Sequence, residues 1–253
     1  MSSVKMEEMR VVETAPFDVK KQAFIVGVPD VGLVGPIAAS HLVQSLGMTE
    51  IGYVESDMLP PVVIVHKNHP KPPLRLYGSG SLAVMTTEVA LTPKSLFYLT
   101  RALTRWAKMR GIEFVVGMTG LAIPNRMDVE KPTVYAVGST DSAKALIKKA
   151  EIPPFDEGVL VGTYALLIRE CLRENQPNIT LLAESHFQFP DPGASASTIQ
   201  SLNSLLNLNI GVEELLEKAE EIRVKARELM RRTQEQLRGM HKVQEQEVPG
   251  IYV

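Results

Sequence analysis

The stretch AFIVGVPDVGLVGPIAASHLVQSLG, residues 23–47, indicates how this chain folds. Residues 23–28 form an apolar run that ends at Pro29, which is typical of a buried strand. Pro36 suits the first turn of a helix, small residues follow it, and Gly47 is placed to end that helix. The stretch therefore predicts a strand, a glycine-rich loop and a helix in succession.

The same alternation continues through the rest of the chain. Apolar runs bounded by turn residues predict further strands, and helical patterns lie between most of them. The predicted strands cover residues 51–54, 61–65, 74–77, 82–88, 114–120, 133–139 and 178–184, and the predicted helices cover 93–110, 141–150, 162–174 and a segment ending at Leu208. This order predicts an α/β protein with a mostly parallel mixed sheet that helices cover on both faces.

Local signals mark several helix boundaries and faces. Thr92-Pro93 predicts a helix start, Gly111 predicts its end, and Asp141 is placed to cap the following helix. The helix over 162–174 is predicted with the apolar residues Leu166, Ile168 and Leu172.

Composition limits the classes of function. The 253 residues are 45% hydrophobic and 22% charged, which is ordinary for a globular protein with a full core. A net charge of −2 argues against a general nucleic-acid binder. The single cysteine, Cys171, rules out an internal disulfide, and no CxxC or Cys/His cluster suggests a metal site. We expect neither a metal nor a cofactor.

The sequence also bears on localisation. The opening residues MSSVKMEEMR are charged, and no apolar segment of the signal-peptide type follows them. No apolar run approaches the ~20 residues that a membrane-spanning helix needs. We therefore expect a cytoplasmic protein without a membrane partner.

A long charged helix is predicted near the end of the chain, from Val212 to about Met240. Its first turns are mainly acidic and its later turns mainly basic, which matches the helix macrodipole. Its apolar residues form a narrow seam at Val212, Leu215, Ala219, Ile222, Ala226 and Leu229. The seam fits either a helix packed on its own domain or one that packs partly on neighbouring subunits.

The glycine-rich loop GVPDVGLVG, residues 27–35, has two interpretations. Glycines between a strand and a helix can bring a phosphate group to the helix N-terminus. However, Pro36-Ile37 replaces the Lys-Ser/Thr pair of a Walker motif, and the GxGxxG spacing is absent. A tight turn with close packing accounts for the glycines without a ligand.

Other candidate catalytic groups are isolated. Glu184-Ser185-His186 supplies an acid, a hydroxyl and a base, but adjacent residues at a strand end point in different directions. Cys171 lies within a helical pattern and is expected to be a small buried residue. Nothing in the sequence pairs the acidic residues Asp30, Asp57 and Glu88.

Three features together resemble one family. GVPDVGLVGPIAASHLV (27–43), VVGMTGLAIP (115–124) and the long charged C-terminal helix resemble the proteasome assembly chaperone 2 family in its archaeal form. The resemblance implies a three-layer α/β/α sandwich related in shape to nucleoside phosphorylases, without their catalytic residues. It also implies homo-oligomers, from trimers to pentamers.

The chain ends in an apolar segment beyond a helix breaker. Ile251-Tyr252-Val253 follows Pro249-Gly250 and matches the hydrophobic-tyrosine-any residue pattern called HbYX. In proteins of the kind that the chain resembles, such tails dock between neighbouring α-subunits of the proteasome core particle. A tail that packs on its own body is the alternative.

The sequence thus predicts a body over 1–211, a helix over 212–243 and a flexible tail over 244–253. Its leading function is a non-enzymatic assembly chaperone or ATP-independent activator that binds the proteasome. An alternative is a nucleoside or other small-molecule binder or enzyme using loops 29–36, 119–126 and 185–193, which follow strand ends. A third possibility is a scaffold for a different protein partner.

Overall fold

The computed structural model of this chain describes residues 9–16 and 23–240. The strands are β1 (Arg10–Glu13), β2 (Ala23–Gly27), β3 (Thr49–Glu55), β4 (Ile64–His66), β5 (His69–Lys71), β6 (Leu74–Ser79), β7 (Leu82–Thr87), β8 (Phe114–Ala122), β9 (Val134–Gly138) and β10 (Asn178–Ser185). The α-helices are α1 (Val34–Ser45), α2 (Pro93–Met109), α3 (Asp141–Lys149), α4 (Thr163–Glu174), α5 (Pro192–Leu206), α6 (Glu213–Glu217) and α7 (Ala219–Gly239). Short 3-10 turns cover Val31–Leu33 and Arg126–Asp128.

Eight strands form one mixed sheet in the order β1-β3-β6-β7-β2-β8-β10-β9. The four central strands β7, β2, β8 and β10 pair in parallel, and the outer pairings are antiparallel. Strands β2 and β7 are buried along their whole length, which explains the apolar run of β2 and of β7 up to Met85, although β7 ends in two buried threonines. The predicted α/β fold with a mixed sheet is confirmed, but the sheet is not mostly parallel, because three pairings are parallel and four are antiparallel.

Alternate side chains of the sheet enter two separate cores. In β2, Ile25 joins a core with α1, α3 and α5, whereas Phe24 and Val26 join a core with α2 and α4. Helices therefore cover both faces of the sheet and form three layers. This follows from the period of two along a strand, which sends successive side chains to opposite faces.

Helix boundaries agree with the sequence signals, with one shift. Thr92 caps α2, its Oγ1 accepting from Ser95 N at 3.2 Å, and Gly111 follows the helix at a φ of 64°. The cap of α3 is Thr140 rather than Asp141, because Thr140 Oγ1 accepts from Ala143 N at 3.2 Å.

The predicted helix over 162–174 is confirmed as α4. Of the apolar residues that indicated it, Leu166 packs against the α2–α4 core, whereas Leu172 is 58% exposed. Cys171 is buried as expected, together with Tyr164 and Leu167. The polar residue Glu170 is also buried on this helix, where arginines pair with it.

The C-terminal helix is present, but it starts differently from the prediction. A single helix from Val212 is wrong, since Lys218 has a φ of −91° and a ψ of 12° and separates α6 from α7. The apolar seam faces the chain's own body: Leu215 is buried, and Ile222 and Leu229 pack against the α1–α5 core. Of the two interpretations of the seam, packing on the same domain holds for these residues.

Three short strands were missed or misplaced. The four-residue edge strand β1 was not predicted, and β4 begins at Ile64 instead of residue 61. Strand β5 was not predicted, because it contains Pro70 and lies in a proline-rich segment. In the described residues, no helix combines the length and the apolar composition needed to cross a membrane.

Candidate functional site

The predicted partner-binding residues Ile251, Tyr252 and Val253 lie outside the described residues. Helix α7, which precedes them in the chain, is packed on the body. Met230, Thr233 and Leu237 of α7 are buried against the body. The later part of α7 therefore forms a fixed base for whatever follows it.

Hydrogen bonds reinforce this attachment of α7. Leu91 N, just before α2, donates to Gln236 Oε1 at 3.0 Å. Gln234 Nε2 donates to Gln188 O at 2.7 Å, which ties the helix to the loop after β10. Met240 packs against the α2–α4 core. Helix α7 thus contacts the cores on both faces of the sheet before the tail begins.

The three loops of the small-molecule hypothesis do meet. Because β2, β8 and β10 run parallel, their carboxyl ends share one edge of the sheet. Asp191 N donates to Gly32 O at 2.8 Å, and Ile123 N donates to Ser185 O at 3.2 Å. The order of elements had predicted this meeting.

Close packing explains the glycines of this region. A Cβ at Gly27 would lie 2.4 Å from Ala39 Cβ, and one at Gly35 would lie 2.6 Å from the Tyr164 hydroxyl. Gly32 has a φ of 62°, and its Cβ would lie 2.0 Å from Ser185 Oγ. Of the two interpretations of residues 27–35, a tight turn with close packing explains the positions of these glycines.

A buried ion pair occupies the junction of the loops. Arg126 Nε donates to Asp191 Oδ2 at 2.8 Å, and Arg126 Nη2 donates to Asp191 Oδ1 at 3.0 Å. The guanidinium also donates through Nη1 to Val129 O at 2.6 Å. The side chains of Arg126 and Asp191 are 9% and 1% exposed. Such a bidentate pair fixes the geometry of both loops.

Asp191 has several further partners. Its Oδ1 accepts from Ala194 N at 2.9 Å and so caps α5, and its Oδ2 accepts from His186 N at 3.2 Å. Ser185 Oγ donates to Oδ2 at 3.4 Å. Sequence reasoning missed this centre, although Asp191-Pro192 is a typical helix start. Its partner Arg126 lies far away in the chain, and no local signal joins the two.

The suspected catalytic trio does not assemble. Glu184 Oε2 accepts from Thr133 N at 2.8 Å, whereas Ser185 is bonded to Asp191. The His186 ring stacks edge-on with Phe189 at 6.2 Å between centroids. These partners lie in different directions, as expected for adjacent residues at a strand end.

The electrostatics of His186 favour its neutral form. Burial lowers the pKa of its imidazole, and the charges of Arg126 and Arg223 act in the same direction. The carboxylate of Asp191 opposes them and does not reverse the shift.

The remaining candidate groups have structural surroundings. Cys171 is buried, and burial raises the pKa of its thiol to about 12. His41 Nε2 lies 2.7 Å from Gly211 O and links α1 to the segment before α6. Asp30 Oδ1 accepts from Val31 N, and Glu88 pairs with Arg75. Among the described residues, no three His, Cys, Asp or Glu side chains are grouped as a metal site.

A groove of about 790 Å³ lies between the body and the first turns of α7. One wall is the apolar seam of α7 with Ile222, Ala226 and Leu229, and Ile37 of α1 lies opposite. Polar groups at the ends of β6 and β7 line another part, including Arg75 and Thr87. The groove touches loop 29–36 at Leu33 and Pro36.

Together these features define a three-layer α/β/α protein in which a buried ion pair closes the strand-end loops. The model of the PAC2 family matches residues 24–230, and the chain belongs to this family.

Two solved structures and one sequence show how the chain relates to known proteins. It is similar to Pyrococcus furiosus PbaA, described as an archaeal homolog of proteasome-assembly chaperone, with 29% identity, a TM-score of 0.82, and coverage of 90% of this chain and 98% of PbaA. PbaB of the same organism, described as an archaeal proteasome activator, shares the fold at 23% identity and a TM-score of 0.75, with coverage of 88% and 99%. Protein MJ0106 of Methanocaldococcus jannaschii is 27% identical over 224 residues, which are 88% of this chain and 92% of that protein.

Proposed function

We propose that this protein binds the proteasome core particle, as an assembly chaperone or an ATP-independent activator, without catalysing a reaction. PAC2 membership and the likeness to PbaA support a proteasome-related role. The observation that carries the proposal is the ending Ile251-Tyr252-Val253 behind an anchored helix. The α-subunits of the core particle are the proposed partner, and the cytoplasm is the proposed location.

Three parts of the chain have separate tasks in this proposal. The described residues up to 211 form the body, α6 and α7 carry the tail, and residues 244–253 are the segment that reaches the partner. The bond between Leu91 N and Gln236 Oε1 fixes where the helix ends on the body. Ten extended residues span at most ~35 Å, which is enough to reach a pocket on an opposing surface.

The chemistry of the last residues suits docking. Tyr252 offers a large rigid face and a hydroxyl, and fixing it costs little conformational entropy. Ile251 fills an apolar groove beside it. The carboxylate of Val253 meets a lysine or backbone donors, as in other modes of terminal capture.

Several tails are needed for useful affinity. One short flexible segment loses entropy for each residue that it orders, so it binds weakly. In a homo-oligomer, the first docked tail holds the others at high effective concentration. We therefore propose that the protein acts as a closed oligomer of three to five copies.

The buried ion pair favours a non-enzymatic role over the alternative. Arg126 and Asp191 bond each other and the loop backbones where an open α/β sheet would place a ligand. The groove beside α7 is the feature that keeps a small-molecule role as a second candidate. Titration with nucleosides and nucleotides tests it, and tight saturable binding would favour that candidate.

The tail proposal is tested with point variants. We expect Tyr252→Ala to abolish capture of the core particle, whereas Val248→Ala, a matched change outside the motif, leaves capture intact. One residue added after Val253 should weaken capture, because it displaces the carboxylate. Equal capture by all four proteins would contradict the proposal. Stimulated peptide hydrolysis by the bound core particle would indicate an activator, and binding of free α-subunits an assembly chaperone.

A further inference from the structure

The outer surface of α2 and α4 carries an excess of positive charge. Five cationic side chains cluster here with only two carboxylates, and we name this set the cationic surface. Its members are Arg101, Arg105, Lys108, Arg169 and Arg173, with Glu170 and Glu174. Arg105, Lys108 and Arg169 have more than half of their side chains exposed.

A buried carboxylate and an aromatic ring fix the positions of several arginines of the cationic surface. Glu170 is 3% exposed and lies 2.6 Å from Arg173 and 3.6 Å from Arg101. The Phe97 ring lies between two guanidinium groups, with Arg101 at 5.2 Å and Arg169 at 4.8 Å from its centroid. Arginine stacked on an aromatic ring is typical of the residues that dominate protein interfaces.

Exposed apolar side chains accompany these charges. Leu172 on α4 is 58% exposed, and Met109 at the end of α2 is 79% exposed. Exposure of these apolar side chains to water is unfavourable in free energy. The surface therefore combines fixed cations with apolar area, which fits an acidic protein partner that also offers apolar side chains.

The same chain carries a surface of the opposite character. Glutamates concentrate on α6 and the first turn of α7, and we name them the acidic surface. They are Glu213, Glu214, Glu217, Glu220 and Glu221. Three cations of the same helices pair with them, Lys218 with Glu214, Arg223 with Glu220 and Lys225 with Glu221, so carboxylates remain in excess. Among the described residues, Glu213 and Glu217 have no cation within ion-pair distance. Leu216 and Val224 are exposed beside them at 47% and 61%.

The two surfaces belong to opposite layers of the sandwich. The acidic surface lies on the helices whose buried residues, Leu215 and Met230, join the α1–α5 core. The cationic surface lies over the α2–α4 core, which contains Leu103 and Leu167. The sheet separates them, so they do not meet within one chain.

We propose that the cationic surface of one copy binds the acidic surface of the next copy. Charge complementarity and the matching exposed apolar residues identify the partner as a second copy of this chain. Since the two surfaces differ, the contact is heterologous, and in the closed oligomer proposed above its repetition forms a ring, whereas a rotation that did not close would give an open filament. This inference rests on the oligomer within the proposed function and names the contact that builds it.

Charge reversal tests the contact on the full chain. Arg105→Glu with Arg169→Glu reverses the cationic surface, and Glu217→Arg with Glu220→Arg reverses the acidic surface. Lys144→Glu with Lys148→Glu, on the exposed face of α3, is the control for a change of net charge. The native mass is measured by sedimentation velocity, and folding by circular dichroism.

Each double reversal should weaken association at least tenfold and reduce the mass to that of one chain. The α3 control should keep the oligomer. Combining all four reversals in one chain restores complementarity and should restore the oligomer, which a merely damaged fold could not do. In the unmodified protein, 1 M salt should lower the mass, because it shortens the screening length to ~3 Å.

A monomeric unmodified protein, or an undiminished mass in both double reversals, would overturn the inference. If neither double reversal folds, an oligomer unaffected by 1 M salt would also overturn it. Core-particle capture by the Tyr252→Ala variant is measured separately. The Tyr252→Ala variant should keep the native mass, so loss of capture at unchanged mass reports on the tail, whereas loss of mass in a charge reversal reports on the interface.

Discussion

The ion pair at the strand ends and the ion pairs along α7 have the same geometry and different surroundings. Arg126 and Asp191 approach to 2.8 Å, and so do Arg231 and Glu228. The first pair is almost fully buried, whereas the side chains of the second are 58% and 57% exposed. Distance alone therefore does not rank their contributions to stability.

Burial decides what the loss of one partner does. A charge left alone in the interior keeps its desolvation cost, whereas a charge left alone on a helix surface is solvated by water. The Arg126–Asp191 pair also joins loops that are distant in sequence, while the pairs on α7 join residues three or four apart. The comparison predicts large effects at the strand ends and small effects on the helix.

The largest effect is expected for Asp191→Ala. It leaves the Arg126 guanidinium buried and removes the cap of α5, so the free energy of unfolding should fall by about 3–5 kcal/mol. Urea denaturation measures this change. Asp191→Asn is the matched control. It keeps an acceptor for Ala194 N, so it should be spared the part of the loss that comes from the missing helix cap, about 1 kcal/mol. A loss below about 1 kcal/mol for Asp191→Ala would contradict the assigned role of burial.

A smaller effect is expected for a buried group without charge. The Tyr164 hydroxyl donates to Val26 O or Val28 O and accepts from Val28 N, each at 3.1 Å, at the end of β2. Tyr164→Phe leaves these backbone groups with one partner fewer, so the free energy of unfolding should fall by about 1–3 kcal/mol. Thermal and urea unfolding measure it, with Tyr98→Phe on the partly exposed face of α2 as the control. An unchanged stability would mean that water or a shifted backbone replaces the hydroxyl.

The smallest effect is expected on α7. Hydrogen bonds from Arg231 and then Arg232 hold the pKa of the Glu228 carboxyl at about 2, below its ordinary value of 4.5. A lowered pKa in the folded state stabilises the fold above pH 4.5, and this contribution disappears as the pH falls toward 2. Because Glu228 is exposed, solvent screens these interactions, so Glu228→Gln should lower the urea midpoint at pH 7 by less than Tyr164→Phe does, and NMR titration of the unmodified protein should show a pKa below 4.5. A midpoint shift as large as that of Tyr164→Phe would contradict the comparison.

The parts of the fold that sequence patterns predicted are those that depend on local order. Residues 23–28 and 114–120 were identified as strands because both of their faces are buried, and the capping signal at Thr92-Pro93 located α2. Strand β1 was not predicted because it is short and half-exposed at an edge of the sheet. Such a segment has neither the apolar run of a buried strand nor a clear alternation.

Features that depend on distant partners could not be predicted in the same way. The meeting of the three loops followed from parallel strands, but the ion pair between Arg126 and Asp191 joins residues 65 positions apart. Glu170 is buried on α4 although it is charged, because arginines on α2 and α4 pair with it. Polar burial of this kind is specified by tertiary contacts and not by periodicity.

The central claim is that an anchored body presents the residues Ile251, Tyr252 and Val253 to the proteasome. Its most direct test compares the intact chain with one lacking these three residues, by measuring equilibrium binding to immobilised core particle. Circular dichroism and sedimentation serve as controls for fold and mass. The account predicts saturable binding by the intact chain and at least a hundredfold weaker binding by the truncated one at equal oligomeric state. Equal affinity of the two proteins would contradict it.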